Sequence, residues 1–159
     1  MTGVLITFQF ASIAFLIWVF VQGILIDSTT AIRPHIVMAL ASTGLSVFSH
    51  SLCIMYAAAV GRMIREAVEK KELDKKYVTQ TKAYRKRISK VATLAMLAVM
   101  AQTILGGGVH TRMLPLWFHF GLGVVALLIG AWATFLEIRY LIANHLLGHH
   151  VAREFETHQ

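Results

Sequence analysis

The 159 residues are 57% hydrophobic and 14% charged, with a net charge of +7. Soluble domains carry about a quarter charged residues, and a buried core helix needs no more than about fourteen apolar residues in a row. Four longer apolar runs, 3–26, 34–60, 88–105 and 114–136, therefore exclude an ordinary soluble domain. They predict an all-α integral membrane protein built as a four-helix bundle, a single domain over residues 1–159.

The first run, Gly3–Ile26, has no basic segment before it and no small-residue cleavage site, and it is too long for a signal peptide. It is read as a retained helix. The second run, Pro34–Val60, holds the one cysteine, Cys53, a small apolar filler that has no partner for an intrachain disulfide. After it comes "RMIREAVEKKELDKKYVTQTKAYRKRISK", residues 62–90, which contains eleven of the fifteen Lys and Arg. Short loops rich in Lys and Arg stay in the cytoplasm. Both termini are then cytoplasmic, and residues 27–33 and 106–113 lie outside. So localised a charge points to lipid headgroups or a docking partner and away from nucleic acid. Glu66–Lys70 and Glu72–Lys76 stand four apart with the acid first, which predicts helix through this segment and a second helix longer than the bilayer. The expected location is a bacterial cytoplasmic membrane, crossed several times.

The third run, Ile88–Leu105, leads into "GGGVHTRMLPLWFHF", residues 106–120. Three adjacent glycines are expected to end the third helix at the outer surface, and Gly121, Gly123 and Gly130 recur along the fourth. Glycine lets helices pack closely in lipid, and it also leaves room for the edge of a wide, flat ring.

An ionisable side chain in a membrane span needs a partner and is a functional candidate by default. Topology sorts the eight histidines. His35 opens the second helix from outside, His50 lies about 22 Å deeper at ~1.5 Å per residue, and His119 sits about two turns into the fourth helix. His110 is in the outer loop, His145, His149 and His150 fall at the cytoplasmic end, and His158 is in the tail. Inward-facing histidines on two helices are how a bundle holds a cofactor in its core, and His35 and His119 share the outer half of the bilayer. His50 is expected to bond a side chain and not a metal. Gln9, Gln22 and Gln102 are read as interhelical hydrogen-bond donors, and Met96 and Met100 as core. The spans contain no Asp or Glu, an argument against transport coupled to a buried carboxylate.

The run "QTILGGGVHTRMLPLWFHFGLGVVALLIG" from Gln102 resembles the stretch of haem A synthase that joins the third and fourth helices of a four-helix half. That stretch has a Gln, a Leu-Gly-Gly ending, a Leu-Pro turn with Trp, and a His entering an apolar helix. In that family a haem-ligating His also opens the second helix, and "RPHIVMALAST" offers His35 there. The resemblance implies that His35 and His119 are the axial pair of one b-type haem (haem b), with Gly107, Gly108 and Gly123 beside it and His110 as an alternative ligand. The family's enzymes have two such halves, and this chain has length for one. A Glu one turn before the His is replaced by Ile32, and the outer loops lack a cysteine pair, so haem hydroxylation does not carry over.

The expected function is one-electron transfer as a subunit of a larger redox complex in the lipid bilayer. Redox partner subunits, and a quinone near His145, His149 and His150, are the candidate partners. The alternatives are a cofactor-free scaffold subunit of a respiratory or photosynthetic complex, and a metal-handling protein using His110, His145 and His149.

Overall fold

A computed structural model describes residues 2–25 and 29–157, with the backbone alone at 29–31, 110 and 157. Four helices follow one another: α1 Thr2–Ile24, α2 Thr29–Lys71, α3 Lys76–His110 and α4 Leu116–Thr157. All four are long and apolar enough to cross a membrane. Helix is what such a composition demands, because only a helix pairs its own backbone groups where water is absent. The two prolines do little to break this pattern. Pro115 stands just before the first residue of α4, whereas Pro34 is the sixth residue of α2, where it removes one intrahelical hydrogen bond without ending the helix.

The helix ends rest on backbone geometry. α2 closes with Glu72 in the left-handed region at φ 53°, and the Leu73 amide donates to the Val68 carbonyl at 3.1 Å. α3 closes the same way. Arg112 has φ 61°, its amide donates to Val109, and the Met113 amide donates to Gly108 at 2.9 Å. This is the Schellman closure, which usually employs a glycine. Here all glycines have negative φ. The expectation that Gly106–Gly108 end the third helix is thus corrected: α3 runs through them to His110, and Gly107 and Gly108 supply the carbonyls that receive the closing bonds.

α3 packs most extensively on α4 and on α2, α1 packs on α2 and α4, and α2 meets α4 across the centre. Small residues let the backbones approach, with Cys53, Ala57, Ala92 and Ala133 all fully buried, as expected where dispersion must hold apolar helices together. Large apolar side chains cover the exterior, among them Leu25, Ile104 and Trp117, each more than 70% exposed.

The helices differ in length. At ~1.5 Å per residue α1 spans about 35 Å, whereas α2 and α4 each exceed 60 Å. Thr2 Oγ1 lies 3.1 Å from the Tyr56 hydroxyl, which lies 2.9 Å from His145 Nδ1. The start of α1 is therefore level with the middle of α2 and the last third of α4. Beyond that level α2, α3 and α4 continue around a separate core of Val60, Ile64, Val68, Leu73, Tyr77 and Val151. Residues 62–90, expected as a basic cytoplasmic loop, are two helical arms joined by a turn at 72–75. The Glu72–Lys76 helical pairing is replaced as well. Glu72 has left the helix, and Lys76 Nζ instead pairs with Asp74 at 3.0 Å.

Candidate cofactor site

His35 and His119 open onto the same cavity of about 330 Å³ between the helices, at the end of the bundle away from the basic arms. Its other walls are apolar: Leu16, Val19 and Phe20 from α1, Ile36, Ala39 and Leu40 from α2, Val99 from α3, and Phe120, Ala126 and Leu127 from α4. Ser42, Thr43, Gln102 and Thr103 supply its remaining polar groups, and no Lys, Arg, Asp or Glu lines it. A cleft of this size with few polar groups suits a small organic ligand, since such sites run from about 300 to 1,000 Å³.

Each histidine backs onto a glycine of the preceding helix. A Cβ on Gly23 of α1 would stand 2.9 Å from His35 Cε1, and one on Gly106 of α3 would stand 2.7 Å from His119 Cε1. A Cβ at either position would force the facing ring to move, so the two rings occupy space that glycine leaves. The α1–α2 and α3–α4 hairpins thus present the same arrangement, a histidine early in the second helix seated over a glycine late in the first. His119 is the fourth residue of α4, one turn in rather than two.

The glycines named from sequence separate. Gly107 and Gly123 line the cavity. A Cβ on Gly123 would meet the Phe20 ring at 2.7 Å, and Phe20 in turn packs edge-on to Phe120 with centroids 6.5 Å apart. Gly108 lies against Leu114 instead, so it seats the α3–α4 turn. The side chain of His110 lies outside the described residues. Met96 accepts a contact from the Ser51 hydroxyl at 3.6 Å and Met100 is exposed. Neither lines the cavity.

Hydrogen bonding leaves one ring nitrogen and one amide oxygen uncommitted. Gln102 Nε2 lies 3.2 Å from His119 Nδ1 and 3.2 Å from the His119 carbonyl. Gln102 Oε1 and His35 Nδ1 are buried without any partner. Orphaned buried polar atoms are uncommon and call for a cause.

A second polar cluster lies deeper, and the sequence reading missed it. Glu137 is fully buried, as are Gln9 and Cys53, and His50 is nearly so. His50 Nδ1 lies 2.8 Å from Glu137 Oε1, and Gln9 Nε2 donates to Glu137 Oε2. Gln9 Nε2 also reaches Cys53 Sγ at 3.0 Å, while the Thr134 hydroxyl donates to Gln9 Oε1 at 3.2 Å. The Gln9 amide has two hydrogens, which serve the carboxylate and the thiol. The His50 proton then points at Glu137. His50 is thus bonded to a side chain, as expected. The four apolar runs themselves hold no Asp or Glu, yet the bundle does bury a carboxylate. Glu137 ended an uncharged run and was counted outside the span, but α4 continues without interruption and turns Glu137 inward. Cys53 is correspondingly a hydrogen-bond acceptor and not mere filler.

At the far end the histidines are occupied. His145 bonds Tyr56 at 2.9 Å and stands edge-on to His149 with centroids 4.4 Å apart. His150 Nε2 pairs with Glu154 at 3.2 Å, and the Tyr77 hydroxyl donates to Glu154 at 2.8 Å. Among the described residues no three His, Cys, Asp or Glu side chains form a group able to hold a metal ion. No protein-family model, curated protein or solved structure matches this chain.

Proposed function

We propose that the chain is a multi-pass protein of the bacterial cytoplasmic membrane that holds one b-type haem and passes single electrons within a larger redox assembly. The observation that carries this reading is one apolar cavity with His35 and His119 on its wall, each ring seated over a glycine. The basic arms at the opposite end support a cytoplasmic location for residues 62–90 and both termini, with the cavity then toward the outer face.

The residues fit the group. His35 and His119 would hold the group through their ring nitrogens, and Phe20, Leu40, Phe120 and Leu127 would sheath it in apolar surface. When bound, haem would supply one-electron chemistry, and the two histidines together with the apolar walls would tune its potential. A ligating histidine commonly donates its second ring N–H to a carbonyl, which fixes the tautomer. Gln102 can do this for His119. A half-turn of its amide would give up the bond from Nε2 to the His119 carbonyl and bring the unpartnered Oε1 to Nδ1, which would then carry the proton and leave Nε2 free to hold the group. The likeness to one half of haem A synthase agrees with a haem in this position. Ile32 offers no carboxylate beside His35, so the reading is electron transfer without oxidation of the haem.

The test is the visible spectrum of the purified protein, oxidised and reduced. A six-coordinate haem with a split band pair on reduction is expected. His35→Ala and His119→Ala should each abolish or strongly shift it, and Gly106→Ala should perturb it by displacing the His119 ring. His149→Ala should leave it unchanged. A colourless protein after expression with added haem precursor would refute the reading and favour the scaffold alternative. A spectrum lost in His110→Ala but kept in His119→Ala would move the ligand to the outer turn.

A further inference from the structure

Four cations meet on one side of the α2–α3 hairpin. Arg62 and Arg65 of α2 and Lys82 and Arg85 of α3 surround a groove of about 130 Å³. Gly61 and Thr81 form its floor. The Thr81 hydroxyl stands 3.2 Å from where a Gly61 Cβ would lie, and it donates to Asn144 of α4 at 2.8 Å. The two helices are therefore held close at the floor, and the long side chains open outward around it.

All four cations are exposed, as are Glu66 and Glu69, the next acids along α2. None of the four forms an ion pair with a carboxylate among the described residues, unlike Lys76, which pairs with Asp74. Other cations of the arms do have company: Arg87 donates to the Tyr140 hydroxyl, and Lys70 and Lys71 lie over the Phe155 ring. Like charges gathered around one groove repel, and an anion seated among them adds an attraction to each cation that offsets this repulsion.

Position along the helix indicates which anion. Arg33 and Arg62 bracket a run of α2 without Lys, Arg, Asp or Glu. At ~1.5 Å per residue the rise between them is about 43 Å, and a bilayer with its headgroups is about 40–45 Å thick. Arg62 thus falls in the headgroup layer when α2 crosses the membrane, and the groove lies at the height of lipid phosphates. Basic pockets between helices at this level suit anionic headgroups, and arginine matches phosphate oxygens with paired N–H donors.

We propose that this groove is a binding site for the phosphate of an anionic phospholipid, held by Arg62, Arg65, Lys82 and Arg85. It rests on the membrane reading above and is independent of the haem. The test is native mass spectrometry of the full chain, purified in detergent, stripped of lipid and titrated with phosphatidylglycerol, with phosphatidylcholine of the same chain length, or with inorganic phosphate.

One phosphatidylglycerol is expected to bind more tightly than the rest and to survive activation that strips phosphatidylcholine. The double variant Arg65→Gln/Lys82→Gln should weaken it about thirtyfold, at roughly a factor of five or six for each cation removed. Lys75→Gln/Lys86→Gln removes the same charge outside the groove and should change binding less than about twofold. Equal losses in the two double variants, or no loss in either, would show a diffuse surface and overturn the site. Equal binding of the two lipids would overturn it too. Inorganic phosphate binding as tightly as the lipid would reassign the groove to a free phosphate. Recovery of the chain in the soluble fraction, scored before any lipid is added, would instead defeat the membrane reading.

Discussion

Glu137 of α4 is fully buried and bonded to both His50 of α2 and Gln9 of α1. A carboxylate in such a place is tolerated because each oxygen has a donor. Removing it strands a buried imidazole and a buried amide together. Glu137→Ala should therefore cost about 3–5 kcal/mol, read from the unfolding midpoint in mixed detergent micelles, and Glu137→Gln should cost less because one hydrogen bond survives. A loss below 1 kcal/mol for Glu137→Ala would mean that the pair contributes little to holding α1, α2 and α4 together. The depth of His35 and His119 follows from position in the chain, but the glycines behind them, Gly23 and Gly106, are twelve and thirteen residues earlier on other helices.

At the scale of the elements, the α2–α3 turn shows local electrostatics at work. Asp74 Oδ1 accepts the Lys76 amide at 2.8 Å and Oδ2 pairs with Lys76 Nζ at 3.0 Å. The amide bond first, and the ammonium with it, hold the Asp74 carboxyl below the usual carboxylate range. A group with a depressed folded pKa adds stability above its unfolded pKa and loses it as the pH falls through the folded value. Asp74→Ala should thus lower the unfolding midpoint at neutral pH, and the gap to the wild type should close as the pH drops below about 4. A gap that stayed constant down to acid pH would assign the effect to backbone conformation instead. Glu72 and Arg112 close their helices in the left-handed region, a conformation that costs a non-glycine residue about 1–2 kcal/mol.

At the scale of the whole molecule, the helices sort into a crossing region and a projecting one. α1 is long enough for a bilayer alone, while α2, α3 and α4 carry on into arms that hold most of the cations. The proposed orientation places these arms in the cytoplasm. On a Cys53→Ser background, a cysteine at Met113 should react in intact cells with an impermeant thiol reagent, and one at Thr79 should react only after lysis. Both positions are exposed, so accessibility within the fold does not bias the comparison. The opposite labelling would invert the topology and put the cavity at the cytoplasmic face.

Composition and chain order alone determined the four helices, because long apolar runs leave the backbone no other way to pair its polar groups. They also bounded the histidines to two ends and a middle, since helix rise converts residue number into depth. Rotation about the helix axis is different. At ~100° per residue, an error of one or two positions in where a helix starts turns a side chain from the interior to the outside. Sequence therefore left Glu137 at the edge of a span, and it did not show that Gly108 packs against Leu114. Which glycine lies under which ring, which four cations share a groove and which carboxylate meets His50 all depend on the relative rotation and offset of separate helices. Packing decides those, through contacts between residues as distant in the chain as Gln9 and Glu137.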